Sequence, residues 1–587
     1  VLKSTRGNIY DKNNKLIASN VLSYSLTFED NGTYDSTREK NLTLNGIAYK
    51  VLKILESNGD SISTGFHIVL DESGNYAFDV DEGFTLNRFR ADVFGKGSAD
   101  DLEYDKETGI DEANATAEQI MEYLMGKDNF GISSKYDGDL AYRIVVVRYA
   151  MLGNRFARYK EVKIATDVSD KTVAYVNEHM DTLSGISVNE DMIRKYNYSE
   201  YFSSIIGYTG PISESEYTAL HKKNKDYTQN DTVGKAGLEQ YYETYLRGKN
   251  GEQKFYIDNV GRISEIISST DSVAGDDLYL SIDADLQKAT YLALQNEIAA
   301  IVYSNIKSGE IPINDVYTAL IGNSVINTEH FSKSKASDTE KSVLSVFKSR
   351  QKTTLGKIKQ ELTSSPEALN TMSDEVLDEF TYIISMLKDD QVLLKNEIDT
   401  SDSVYQKWKD QKISPKEYLN YCITQHWIDI SQLNVDEKYA DSTEVYDALC
   451  KYILKNIKTD TEFSKIIYQY MITRGEISPR QLCLILFDQG VLDYDDATVN
   501  KLKNGSLSPR DFLMKKIYNI EITPAQLALE PCIGSCVVTD EKTGEIRAMV
   551  SYPGYDSNKL ANGVDSEYFA SLQHDKSSPL LNYATQQ

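Results

Sequence analysis

The rhythm of apolar and polar positions changes three times along this chain. The first third is dominated by short alternating runs. In "GNIYDKNNKLIASN", Gly7 to Asn20, an extended run, a polar turn at Asn13-Asn14 and a second apolar run predict a β-hairpin. "RIVVVRYA", Arg143 to Ala150, is short and β-branched, as a strand is. "SDKTVAYVNEHM", from Ser169, opens with a Ser/Asp cap and then turns amphipathic, which predicts a helix. In "DDLYLSIDADLQKATYLALQ", Leu278, Leu280 and Ile282 alternate with polar positions and predict a half-buried strand. Asp283 then caps a helix whose Leu286, Ala289, Leu292 and Ala293 share one face.

From about Ser304 to about Glu530 the period becomes helical. Val445, Leu449, Tyr452, Ile453 and Ile457 place one apolar stripe on a helix. Ser365-Pro366, Ser414-Pro415, Ser478-Pro479, Ser508-Pro509 and Thr523-Pro524 each pair a capping hydroxyl with a proline suited to the first helical position. "ISPKEYLNYCITQ" and "ISPRQLCLILFDQG" resemble each other through that cap signature. After Cys532 strand alternation returns: "GSCVVTD" and "EIRAMVSY" flank the turn "DEKTG", where Asp540 opens the turn and Gly544 can take positive φ.

Composition narrows the picture. The chain has 587 residues, too many for one compact core, and its 41% apolar and 26% charged fractions are those of a folded protein. A formal net charge of −26 repels phosphate backbones, which sets nucleic acid aside as a partner. The five cysteines are an odd and sparse set, so no disulfide framework is implied, and Cys532 and Cys536 lack a second pair at metal spacing. The cluster Asp100, Asp101, Asp105 and Asp111 lacks the spacing and glycine of a calcium loop and reads as solvated. No metal or cofactor is expected. No run of roughly 18 apolar residues occurs, and the chain, beginning at Val1, is expected to be a piece of a longer protein.

One triplet carries candidate chemistry. Lys542-Thr543-Gly544 matches part of the signature set of serine acyl-transfer enzymes, in which a serine one helical turn before a lysine is the nucleophile. Ser-x-x-Lys occurs at Ser304/Lys307, Ser332/Lys335 and Ser345/Lys348, all at or within the helical stretch, where solvated helix faces are expected. The triplet itself is expected to be a hairpin turn.

Six stretches, in order, resemble the class B penicillin-binding proteins, the bacterial D,D-transpeptidases that cross-link peptidoglycan. "RGNIYDKNNKLIA", with Arg6, Gly7 and Asp11, resembles the hairpin that opens their extracytoplasmic part. "YFSSIIGYTGPISESEY" resembles their glycine-tyrosine strand and following helix. "VGKAGLEQYYETYLRGKNGEQKFYIDNVGR", with Gly234, Gly237, Leu238, Glu239, Arg247, Gly248 and Asp258, resembles the non-catalytic pedestal, or dimerisation, domain. "GDDLYLSIDADLQKA", with Asp283, Leu286 and Gln287, resembles the link to the catalytic domain. "GSCVVTDEKTGEIRAMVSYPGYDSN", with Asp540 and Gly544, resembles the first hairpin of that domain, and "PLLNYATQQ", with Asn582, the segment just upstream of the nucleophile. Tyr583 stands where the family usually has arginine.

The resemblance implies an α+β, multi-domain chain: a pedestal over 1–275 with an inserted head subdomain near 35–155, a linker over 276–303, a helical insertion over 304–522, and over 523–587 the start of a serine β-lactamase-like transpeptidase domain. The nucleophile would lie about a dozen residues beyond Gln587, so no catalytic residue is expected in this chain. By the same resemblance the whole protein sits on the outer face of the cell membrane. Its partners would be peptidoglycan stem peptides and β-lactams, a membrane glycan polymerase of the shape-and-division family, and a second copy as a homodimer. The alternative is a non-catalytic module that docks such a polymerase. In "GLEQYYETYLRG", Leu238, Tyr241, Tyr242 and Tyr245 are expected on one side of an amphipathic helix, with Glu239 and Glu243 elsewhere. Arg6 is expected to pair with a carboxylate, Glu239 or Asp258.

Overall fold

The computed structural model describes all residues except 1–2, 63–64, 71–75, 81–83, 107, 137, 155–160, 229–230, 258–262, 334, 365–366, 434–440, 562–565 and 587. The chain is mixed helix and sheet and multi-domain, as its pattern predicts. It divides into two compact units: Val1–Leu292 with Ser535–His574 and Ser578–Gln587, and Ala293–Gly534 with Asp575–Ser577.

The first unit is organised around one long strand. β1 (Ile9–Tyr10) and β2 (Leu16–Phe28) form the expected hairpin, with Asn14 at a φ of 62° in its turn. Then come α1 (Thr37–Asn58), α2 (Gly138–Ala150), β3 (Val162–Ala165), α3 (Asp170–Glu178, capped by Ser169) and β4 (Ile186–Tyr196). α4 (Ser199–Ile206), β5 (Thr209–Pro211), β6 (Thr232–Gly234), α5 (Gly237–Tyr241) and α6 (Glu243–Leu246) follow. β7 (Leu278–Tyr279) adds to β1 in parallel, and α7 (Ala284–Ser308) begins directly after Asp283. The unit closes with the hairpin β8 (Gly534–Thr539) and β9 (Ile546–Tyr552), then α8 (Ser557–Leu560).

β4 pairs with β2 without interruption from Ala18 to Phe28. On the opposite edge of β2, β1 occupies Leu16 and Ala18 while β3 occupies Leu26 to Phe28. Between them, among the described residues, no strand covers β2; Tyr24 O accepts the Val168 N–H. The sheet therefore has a slot in one side.

Three expectations need correction. "RIVVVRYA" is helix α2, not strand. Ile144 and Val147 face one buried cluster, with α1 and β2, and Val145 and Val146 face another, around Phe66 and Phe89. A helix buried on two sides has no polar face to reveal its period, and β-branched propensity yields to packing. On α7 the buried side is Ala284, Gln287 and Tyr291, while Leu286 and Ala289 are exposed. The expected amphipathic helix over 237–248 is two short helices, and its polarity is inverted. Glu239 and Glu243 are buried, and Tyr241 and Tyr245 project at 78% and 62% exposure.

In the second unit, helices pack around a continuous core that includes Val445, Leu449, Ile453 and Ile457. Ser414, Ser478, Ser508 and Thr523 each cap a helix with proline at its first turn; Ser365-Pro366 lies outside the described residues. The helices end by rule. Left-handed residues recur fifteen apart, at Gly309 and Ser324, at Gln411 and His426, and at Gly475, Gly490, Gly505 and Ile520. Except at Gly309, which reaches Asn305 O, the left-handed N–H turns back to a carbonyl three residues earlier, as in Gly475 to Ile472 and Ile520 to Ile517. Two residues on stands an apolar side chain, as at Ile326, Ile413, Ile477 and Ile522. In four of these connections Ser or Thr follows directly and caps the next helix.

Within this unit Glu379, on the helix Asp374–Asp389, is 1% exposed. Burial, then neighbouring Glu375, push its carboxyl up to about 8. The folded chain thus holds a proton that the unfolded chain releases near 4.5. The resulting stabilisation is complete below that value and is lost as pH rises through about 8. Glu379→Gln is expected to melt with the natural chain near pH 4.5 and above it at pH 8 and beyond. Coincident melting curves at alkaline pH would refute this.

Candidate functional site

Two features of the first unit are the candidates for a site: a groove floored by β2 and β4 and underpinned by buried charge, and the segment over residues 581–586.

The charge cluster begins at Arg6, which enters just before β1. Its Nε donates to Glu239 Oε2 at 2.6 Å, one terminal nitrogen to Glu243 Oε2 at 2.7 Å, and the other to Glu239 O at 2.9 Å. Arg194, on β4, gives Nε to the second Glu239 oxygen at 2.8 Å and a terminal nitrogen to Gly7 O at 2.8 Å. Glu243 also accepts Gly234 N–H and the Tyr227 hydroxyl. Arg247 lies over the Tyr227 ring, 4.0 Å from its centroid, and pairs with Asp231 at 2.7 Å. Burial alone would raise the Glu239 carboxyl; two guanidiniums more than reverse this and hold it below its ordinary range. Close backbone approach makes two glycines obligatory. A Cβ on Gly7 would sit 1.9 Å from Asp276 O, and one on Gly234 would sit 2.1 Å from Glu239 backbone. Gly237 opens α5, and Gly248 follows Arg247 beside Val273. Leu238 packs half-buried at the edge of the cluster's apolar surround. Asp258, the alternative partner expected for Arg6, lies outside the described residues.

Above this cluster is a groove of about 710 Å³. Opposite pairs of the β2–β4 ladder, Asn20 with Arg194 and Leu22 with Met192, put their side chains on its face. Leu22 and Met192 are 57% and 49% exposed. Lys3 and Lys163 also line it. The groove therefore has Leu22 and Met192 on its floor, walls that carry both basic groups and the carboxylates of Glu190 and Asp231, and the uncovered edge of β2.

The remaining singled-out residues join the first hairpin, β4 and α4 to the C-terminal hairpin and the residues after it. Asp11, fully buried, accepts Asn13 and Lys15 N–H with one oxygen and Ala284 N–H with the other, tying the first hairpin to the start of α7. Asp283 caps α7 by accepting Asp285 and Leu286 N–H, and chiefly the latter lowers its carboxyl. Gln287 donates to Tyr201 O and Met549 O and accepts Met549 N–H, each at 2.8 Å. Asn558 similarly exchanges two bonds with the Tyr196 backbone. Asp540 accepts Lys542 and Thr543 N–H in the β8–β9 turn, with Gly544 at a φ of 72°. Lys542-Thr543-Gly544 is thus a hairpin turn. The three Ser-x-x-Lys pairs are exposed, and among the described residues no serine hydroxyl in them meets its lysine. Asn582 donates to Ser204 O and accepts Ala584 N–H.

The sequence reading missed Arg194, Glu243 and Tyr227. Two glutamates four apart on a helix, set against arginines elsewhere, were the available signal for Glu243.

Residues 1–280 match a family model described as the penicillin-binding protein dimerisation domain. The peptidoglycan D,D-transpeptidase MrdA of Salmonella typhimurium is 29% identical over 157 residues, 26% of this chain and 25% of that protein. Penicillin-binding protein 2A of Bacillus subtilis is 35% identical over 136 residues, 23% of this chain and 19% of that protein. The chain thus spans a quarter or less of the length of these curated relatives. Among solved structures, penicillin-binding protein 2B of Streptococcus pneumoniae (strain 5204) aligns with a TM-score of 0.31 and 24% identity, over 54% of this chain and 45% of that one.

Glu239→Gln is expected to destabilise the first unit by about 3–5 kcal/mol in urea unfolding, because it leaves two buried guanidiniums without their shared charge. In the natural chain this stabilisation is present above the ordinary carboxylate range and fades as pH falls through it. A loss under about 1 kcal/mol would show the cluster to be dispensable.

Proposed function

We propose that this chain, whose first 280 residues match the penicillin-binding protein dimerisation domain, is a class B penicillin-binding protein and forms the extracytoplasmic scaffold and entry segment of a peptidoglycan D,D-transpeptidase on the outer face of the cell membrane, with the serine nucleophile in sequence after Gln587. The observation that supports this reading is how residues 581–586 are held. Residues 581–586 form a turn bound to strand β9 through Ser551, which donates to Leu581 O and accepts Tyr583 N–H. That placement suits a lead-in to a reactive helix.

In the whole protein the serine hydroxyl would attack the carbonyl between the two D-alanines of a stem peptide. The acyl–oxygen bond forms, the amide breaks, and D-alanine leaves with the proton on its amine. An amine from a neighbouring stem then takes the acyl group and frees the serine. A β-lactam acylates the same hydroxyl and stays. A chain ending at Gln587 should take no label from a fluorescent penicillin, while the whole protein should take one equivalent. Stable labelling of the shorter chain would overturn the assignment.

The groove favours a second, compatible role. A strand of a wall-assembly partner, such as a membrane glycan polymerase, would pair with the uncovered edge of β2 and set an apolar residue on Leu22 and Met192. Leu22→Asp is expected to cut co-purification of the polymerase at least about tenfold, the loss of one good apolar anchor, while leaving penicillin labelling of the whole protein intact. Undiminished co-purification would exclude this groove as the docking face.

A further inference from the structure

The proposed reaction needs its serine held to within a fraction of an ångström, and on that reading residues 581–586 lead toward it. That stretch is fixed by a pedestal helix. α4 ends at Ile206, and its last carbonyls have no partner within the helix. Ser203 O takes Gly207 N–H and the Tyr555 hydroxyl at 3.2 Å. Ser204 O takes the side-chain amide of Asn582 at 3.2 Å. The oxygen of the same side chain accepts Ala584 N–H at 3.0 Å, and its backbone carbonyl accepts Thr585 and Gln586 N–H. One carboxamide therefore does two things: it closes the turn that carries the chain onward, and it nails that turn to the end of α4.

We propose that Asn582 is a positioning residue of the acyl-transfer site, setting the nucleophile's position from the C-terminal end of pedestal helix α4. The inference rests on the transpeptidase reading above and deepens it. An amide fills both the donor and the acceptor role in this place. A carboxylate has no N–H for Ser204 O, and it would bring negative charge to the negative end of a helix. Tyr555 is the internal comparison. It bonds the neighbouring carbonyl of the same helix but lies outside the turn, so it secures the hairpin's attachment without setting the onward path.

The test uses the whole protein and a fluorescent penicillin, with the acylation rate separated from the affinity of the preceding non-covalent complex. Asn582→Ala and Asn582→Asp are expected to slow acylation about 10- to 100-fold, the scale of an ångström-level misplacement, with affinity unchanged. Tyr555→Phe is expected to acylate within about twofold of the natural protein. Melting curves identify any variant that fails to fold, and Asn582→Ser, which keeps a donor, should recover part of the rate. Acylation unchanged in Asn582→Ala, or slowed equally in Tyr555→Phe, overturns the proposal while the natural protein still labels. A natural whole protein that takes no label overturns the transpeptidase reading and this inference with it.

Discussion

Glu239 is the point on which the first unit turns. Its carboxylate is fully buried, and each of its oxygens receives a guanidinium from a distant part of the chain, Arg6 and Arg194. Charges in such a place are tolerable only together. Arg6 without Glu239 and Glu243, or Glu239 without both arginines, would be an uncompensated ion in a low-dielectric interior. The cluster thus admits one arrangement of the entering chain, β4 and the α5–α6 elbow. Gly7 and Gly234 are its steric counterpart, because the backbones those charges draw together leave no room for a side chain.

This also explains which parts of the fold were legible in the sequence. The Asn13-Asn14 turn, the Ser169 and Asp283 caps and the serine-proline helix starts are local, and each stands where its residues predict. What failed was the assumption that polar positions face water. Glu239 and Glu243 are buried because of arginines remote in sequence, and Gln287 is buried because it serves a strand edge and a helix carbonyl at once. α2 failed for the opposite reason, since packing between two cores erased its polar face. The pairing of Arg6 with Glu239 was legible, but the second guanidinium, from Arg194, was not. The slot in the sheet is a property of topology, and no local pattern contains it.

The helical unit shows a different kind of concealment. Its fifteen-residue spacing is set by left-handed residues, yet Ser324, Gln411, His426 and Ile520 hold positions where glycine would have announced the turn. The Schellman bonds and the following apolar residue stabilise these ends enough to carry side chains that rarely adopt that conformation. A repeat defined by backbone geometry can therefore run through a sequence that shares little beyond its caps.

Two kinds of joint coexist in the first unit, and they differ in cost. The ion cluster is expensive to disturb, since removing Glu239 takes the shared carboxylate from two buried arginines. The links through Gln287, Asn558 and Asn582 are neutral amide hydrogen bonds, each contributing about 1 kcal/mol net, but their directions are strict. Such bonds fix where a strand or turn lies while adding little to the energy needed to move it. The first unit thus combines a rigid base at Arg6–Glu239 with directional, low-energy links that tie α4 to residues 582–586 and α7 to β9. A displacement of α4 would be carried to residues 582–586 as a change of position before it cost the fold its stability.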